Sequence, residues 1–218
     1  MTNTAMEEEL TSEDIVDILE TDIIFGVLYP RERLVESALQ RRFGVSRHVI
    51  RRAITDLVAM GVVEYQKNIG AMVKAYSKKE VLELYELRTI LESGAAARIQ
   101  FPVADKAIEG LKAIQREHDR AVKQQDKRAL FITNIRFHNA LYSLSGNDML
   151  RETIEEYARK THIVRFRSFL HTETLEQARR EHWEIIHALE NQDRDALVIV
   201  CGQHLIPSRD AYLAQHGS

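Results

Sequence analysis

Phe43-Gly44-Val45-Ser46-Arg47-His48-Val49-Ile50-Arg51-Arg52-Ala53-Ile54 reads as the end of one helix, a tight turn and the start of another. The pattern predicts helices over 35–43 and 46–60. Gly44 interrupts them, Ser46 is a good N-cap for the second, and Gly61 suits the C′ position after it. Arg47 and Arg51 are four residues apart and share a helix face. Leu39, Val45, Ile50, Ile54 and Leu57 point the other way and would hold the two helices together. Arginines in the first turns of the second helix of such a pair are how a helix-turn-helix sets donors against base edges. A bidentate arginine–guanine contact discriminates by about 1–3 kcal/mol.

Downstream, 62–66 and 71–76 are rich in β-forming residues around Lys67-Asn68-Ile69-Gly70, a two-stranded wing with Gly70 at its turn. This is the one strand pair the sequence predicts, and it offers Lys67 and Asn68 to phosphate or the minor groove. Upstream, Thr11 and Asp14 have capping-box spacing before a helix over 11–26, closed by Tyr29-Pro30. Residues 1–10 read as a loose tail. The net charge of −3 hides a segregation. Residues 1–30 hold eight acidic side chains and no Lys or Arg, 31–76 hold nine basic and four acidic, and 77–218 hold 21 of each. Phosphate contact needs local rather than overall positive charge.

Ser77 and Glu80 form a second capping-box pattern and open a region with helical periodicity to its end. Helices are expected near 78–100, 104–124, 127–145, 148–170, 173–191 and 194–214. Pro102 and Ser145-Gly146-Asn147 provide breaks, and Asp193 an N-cap. The predicted fold is mainly α: a winged helix-turn-helix domain over 1–76, then an antiparallel bundle of about six helices over 77–218. The single cysteine, Cys201, excludes an internal disulfide framework. No apolar run approaches the roughly 18 residues of a membrane span, and the acidic start is no signal peptide. A cytoplasmic protein is expected.

The bundle carries His138, His182 and His204 on three predicted helices, with Asn134 one turn before His138. Such side chains can meet in a bundle interior, and imidazole suits Zn, Ni and similar divalent ions. Three His and one oxygen ligand leave positions open for water or a carboxylate. Arg88 and Glu92 lie one helical turn apart, a spacing that suits a salt bridge inside the bundle. His118-Asp119, an HD dipeptide within Arg116-Glu117-His118-Asp119-Arg120, reads as solvated. Glu184 and His187 have Glu-x-x-His spacing, but a di-iron bundle needs two such motifs.

Residues 26–74 resemble the winged-helix domain of GntR-family bacterial regulators. The resemblance rests on Arg33-Leu34-x-Glu36-Ser37-x-Leu39, on residues 43–47, on Arg51-x-Ala53-Ile54-x-x-Leu57, on Gly61-Val62-Val63 and on Gly70. The family usually shows Ser-Arg-Thr-Pro-Val-Arg-Glu-Ala-Leu over 46–54. Here His48-Val49 replaces Thr-Pro and Arg52 replaces Glu, which removes a preset helix start and bears on the preferred operator bases. The resemblance implies DNA contacts from Ser37, Ser46, Arg47, His48, Arg51 and the wing around Gly70, with Arg52, Lys67 and Asn68 beside them. Residues 78–210 resemble the FCD type of ligand-sensing domain, through 84–92, Asn134-x-x-Phe137-His138-x-x-Leu141, Ser145-Gly146-Asn147-x-x-Leu150, Glu181-His182-x-x-Ile185-x-x-Ala188-Leu189 and His204-Leu205. Many such domains hold a divalent metal with an Asp and three His. That implies Asn134, His138, His182 and His204 as ligands, with a neutral amide where the family has a carboxylate. It also implies Arg88, with Glu92, facing an effector carboxylate, and Arg165 as a weaker candidate beside Arg167 and His162.

The expectation is a homodimeric, metabolite-responsive repressor. It would bind a pseudo-palindromic double-stranded operator, and a small carboxylate in the metal-bearing bundle would bias the placement of two DNA heads. The rival is a metal-dependent hydrolase built in the bundle, for which no general base stands out beside the histidines. A third reading is an architectural DNA-binding protein without a ligand.

Overall fold

The computed structural model describes residues 10–164 and 172–215. The chain forms two compact units, Met1–Ala75 and Tyr76–Ser218.

The first unit contains α1 (Ser12–Ile24), α2 (Glu36–Phe43), α3 (Arg47–Ala59) and the strands β1 (Val63–Gln66) and β2 (Gly70–Val73). Thr11 and Asp14 make the reciprocal capping box: each backbone N–H is bonded by the other's side chain. The Ser46 hydroxyl accepts the Val49 N–H at 3.4 Å, so α3 starts on a side-chain cap and needs no proline in its first turn. Gly44 ends α2 at φ 69°, a left-handed position that favours glycine. α1 and α2 both pack on α3. The buried positions Ile15, Leu19, Ile23, Leu39, Val45, Ile50, Ile54 and Leu57 form one apolar interior, leaving the opposite face of α3 in solvent.

β1 and β2 pair antiparallel, Val63 with Val73 and Gln66 with Gly70. Gly70 opens β2 rather than sitting in the turn. The left-handed residue of the turn itself is Asn68, at φ 65°, which asparagine tolerates. The wing also has a neighbour the alternation pattern missed. Arg33 bridges to Met72, and the Leu34 N–H donates to the Ala71 carbonyl, so the segment before α2 lies along β2.

The second unit contains α4 (Lys78–Arg98), α5 (Asp105–Gln124), α6 (Lys127–Ser143), α7 (Asp148–Lys160), α8 (Thr172–Glu190), α9 (Arg194–Gln203) and α10 (Ile206–Gln215). Its apolar centre joins Ala95, Leu111, Phe137, Leu141, Ile185, Leu189 and Leu197, from α4, α5, α6, α8 and α9.

Two expected helices are shorter than the periodicity suggested. The helix expected over 148–170 ends as α7 at Lys160 with no Gly or Pro to mark it; Thr161 is its C-cap and accepts a hydrogen bond from Arg88. The helix expected over 194–214 is two helices broken at His204-Leu205. Pro207 falls in the first turn of α10, where its missing N–H costs nothing, whereas in one continuous helix it would remove an internal bond. The break makes His204 the C-cap of α9.

Candidate nucleic-acid interface and metal centre

In the first unit, Ser37, Ser46, Arg47, His48, Arg51, Arg52, Lys67 and Asn68 are all exposed, and Gly70 is half-buried. One residue organises the arginines. Glu36, at the start of α2, accepts from Arg47 Nε at 2.7 Å through Oε2 and from Arg51 Nε at 3.0 Å through Oε1. These hydrogen bonds, Arg47 foremost, hold the Glu36 carboxyl below its ordinary range. The arginine side chains remain 63% and 57% exposed, so pairing through Nε does not bury them. Their bidentate edges are the Nη atoms, on the far side of the guanidinium. Beside them is a hollow of about 450 Å³ lined by Arg33, Glu36, Ser37, Arg47, Tyr65 and Gly70, where helix start, recognition helix and wing meet. Glu36 and Tyr65 escaped the sequence reading as site residues. Glu36 lies 11 and 15 positions from its partners, and only the helix-turn-helix packing brings it to them.

In the second unit, His138 on α6, His182 on α8 and His204 at the end of α9 are buried together. One ring nitrogen from each lies within 4.8 Å of the others, and ring centroids are 4.8–5.3 Å apart. Two nitrogens on one tetrahedral zinc stand roughly 3.3 Å apart, given Zn–N bonds of about 2.0–2.1 Å, so small ring rotations would bring all three onto one ion. Phe137 stacks on His182 at 4.1 Å. Asn134 is buried one turn before His138, and its Nδ2 has no hydrogen-bond partner.

Hydrogen bonds fix which nitrogen two of the rings can offer. Gln115 Nε2 donates to the Asp119 carboxylate at 2.9 Å, so its Oε1 is the atom 2.8 Å from His182 Nδ1, and that nitrogen must carry the proton. Glu181 Oε2 lies 2.7 Å from His204 Nδ1 and accepts a hydrogen bond from it, so that nitrogen carries the proton likewise. Burial pushes the Glu181 carboxyl up, but the bonds from His204 and Gln177 outweigh it, and the group sits below its ordinary range. His182 and His204 are left with Nε2 for a ligand role. Three converging imidazoles, two of them so oriented, suit a borderline divalent ion, which when bound would supply Lewis acidity and open positions for an anionic oxygen.

His118 corrects the sequence reading. It is buried, with its ring 5.2 Å from that of His182. The charged neighbours on α5 suggested solvent, but Ile108, Leu111, Gln115 and His118 follow a 3-4-3 spacing and form the buried stripe, a signal present in the sequence. The Thr133 hydroxyl spends its hydrogen on the Ala129 carbonyl, so it accepts from His118 Nδ1 at 2.9 Å. Burial drives the His118 pKa down to about 4. The unfolded chain therefore binds the proton first as pH falls. Stability associated with this ring is complete above about pH 6.5 and is lost as pH falls toward 4, by about 3 kcal/mol in total. In chelator-treated protein, His118→Asn, which keeps a donor for Thr133, should remove that part of the acid sensitivity. Denaturant titrations at pH 7 and pH 4.5 check this; an unchanged difference between the two pH values would contradict it.

Arg88 and Glu92 on α4 are both buried and pair with each other. Arg88 Nε donates to Glu92 Oε1 at 2.9 Å, Nη2 lies 2.6 Å from the same oxygen, and Nη1 donates to the Thr161 hydroxyl at 2.7 Å. Tyr142 donates to Glu92 Oε2 at 2.7 Å, and its ring stacks against His138 at 6.0 Å, so the ion pair stands one aromatic ring from the histidine cluster. Burial alone would lower the Arg88 guanidinium; Glu92 outweighs it and holds it above its ordinary value. Burial, with Glu92 beside it, pushes the Cys201 thiol up to about 12, so the one cysteine is inert. Arg165 and Arg167 lie outside the described residues. His162 is buried edge-on to Phe131 at 4.8 Å. His187 is half a turn from the cluster side of α8 and meets Trp183.

Known proteins agree with this organisation. The profile of the bacterial regulatory proteins of the gntR family matches residues 11–73, and that of the FCD domain matches 83–206. The HTH-type transcriptional repressor RspR of Escherichia coli K12 is 26% identical over 194 residues, covering 89% of this chain and 85% of its own length. The gluconate operon transcriptional repressor of Bacillus licheniformis is 24% identical over 183 residues, covering 81% and 74%. Among solved structures, E. coli McbR/YncC superposes with a TM-score of 0.80 at 18% identity, covering 94% of this chain and 98% of that one. A putative GntR regulator from Rhodococcus sp. RHA1 gives 0.79 at 21% identity, covering 93% and 97%. No helix among the described residues is long and apolar enough to cross a membrane. With a winged helix-turn-helix that exposes its arginines, an all-helical second unit, and both family profiles matched in order, this chain belongs to the GntR family of bacterial regulatory proteins, as a transcriptional regulator carrying an FCD domain rather than an enzyme.

Proposed function

We propose that the protein is a metabolite-responsive repressor that binds a pseudo-palindromic operator as a homodimer, with a divalent metal and a small carboxylate effector in its FCD domain. The observation that carries this reading is the trio His138, His182 and His204, buried together with ring nitrogens within 4.8 Å. Three buried imidazoles whose nitrogens converge on one point form the donor set of a borderline divalent ion. Zinc or nickel suits the donor set, with Asn134 giving a neutral oxygen. Because no protein carboxylate replaces the family's Asp at 134, the ion keeps more positive charge and favours an anionic ligand at its open positions. Arg88 uses three of its five N–H donors internally, and the remaining ones, with Glu92 fixing the guanidinium, are available to the same carboxylate. On the DNA side, Arg47 and Arg51 read bases, with Ser37, Ser46, His48, Arg52, Lys67, Asn68 and Gly70 around them. The repressor sign follows relatives named as repressors. The effector works through unequal affinity for two placements of the DNA-binding units.

Native mass spectrometry with elemental analysis of the purified protein tests this. The expected result is a dimer with one Zn or Ni per chain. Chelation should lower the melting temperature, because a ligand held at 100 times its Kd contributes about 2.7 kcal/mol. Readdition of metal with a small hydroxy or dicarboxylic acid should raise it beyond metal alone. A metal-free monomer indifferent to chelator would refute the reading.

A further inference from the structure

We infer that Asp119, through Gln115, and Glu181 are positioning residues that lock His182 and His204 in the one tautomer able to present Nε2 to a metal; this rests on the metal reading above. The argument is one of hydrogen-bond polarity. A carboxylate only accepts. Asp119 Oδ1 therefore takes the amide N–H of Gln115 and fixes which way round that amide sits, so the carbonyl end faces His182 Nδ1 at 2.8 Å. A reversed amide would set its own N–H against His182 and select the opposite tautomer. Asp119 is itself held from outside: Trp183 Nε1 donates to Oδ2 at 3.2 Å and Arg179 Nη1 is 3.8 Å from Oδ1. The second device repeats the logic with one link fewer. Gln177 Nε2 donates to Glu181 Oε1 at 2.9 Å, and Oε2 accepts a hydrogen bond from His204 Nδ1–H at 2.7 Å. Glu181 thereby places a negative charge one ring behind the ion, in a site whose own oxygen ligand, Asn134, has none. These two relays set two of the three ligands, His182 and His204. Outer partners of this kind typically tune metal affinity by about 10–100-fold.

The test reads tautomers and affinity separately, on the full-length protein. Nitrogen NMR of the histidine rings in metal-free protein at pH 8 should show His182 and His204 each protonated at Nδ1. Gln115→Leu should release His182 alone, and Glu181→Leu His204 alone. Each should weaken zinc binding, measured by competition with a chromophoric chelator, by about 10–100-fold. Asp119→Asn keeps Gln115 but offers an acceptor oxygen to only one of Trp183 and Gln115, so it should loosen His182 in the same direction even if the leucine variants do not fold. A merely structural role would lower the melting temperature and leave the tautomers fixed. His182 still protonated only at Nδ1 in Gln115→Leu and Asp119→Asn, with zinc affinity within twofold of wild type, overturns the inference. A wild type that takes up no zinc overturns the metal reading, and with it the purpose assigned to these residues, whatever the tautomers show.

Discussion

A protein carrying both Arg47→Ala and Arg51→Ala is expected to lose specific operator binding by two to four orders of magnitude while folding normally. Each arginine has the exposure and position for a bidentate base contact worth about 1–3 kcal/mol, and two such contacts together give about 2–6 kcal/mol. Neither side chain packs in the core, so stability should change little; the loss of the pairs to Glu36 costs less than about 1 kcal/mol because both arginines are more than half exposed. The operator would first be selected from a randomised duplex pool with wild-type protein, then titrated by fluorescence anisotropy at fixed salt. Binding to an unrelated duplex should fall far less, since the exposed cations Lys67, Arg52 and Arg33 remain to attract phosphate. Equal loss on both duplexes would mean that the two arginines supply charge rather than base recognition.

Arg88→Met is expected to destabilise the FCD domain by about 3–5 kcal/mol, the largest stability effect of any single change considered. The substitution leaves the Glu92 carboxylate buried with Tyr142 as its remaining partner, and breaking a buried ion pair from one side costs that much. The paired variant Arg88→Met with Glu92→Leu should recover most of the loss, because replacing both charges by apolar groups of similar size is often neutral. Urea titration of the three variants measures this. A single-variant loss below about 1 kcal/mol would show that Glu92 is satisfied without Arg88, and would free the arginine for a role wholly in ligand recognition.

Much of this protein was legible along the chain because the signals are local. Thr11 with Asp14, Ser46, Ser77 with Glu80 and Asp193 each cap the helix they were expected to cap, since a cap joins residues two or three apart. The apolar spacing of 39, 45, 50, 54 and 57 likewise fixed which face of α3 is buried. His118 was legible too, through its stripe with Ile108, Leu111 and Gln115, but the charges beside it in sequence outweighed the period.

Sequence alone determined the order of the elements, the exposed arginine face and the family to which the chain belongs, because capping, periodicity and motif spacing act over a few residues. Tertiary structure decided what depends on partners far apart in the chain. It set Glu36 against Arg47 and Arg51, closed α7 at Thr161 by way of Arg88, and brought His138, His182 and His204 together from three helices. It also decided the direction of the Gln115 amide, and so the tautomer of a histidine 67 residues away. No local pattern encodes that choice, because hydrogen-bond polarity is passed through space from one side chain to the next.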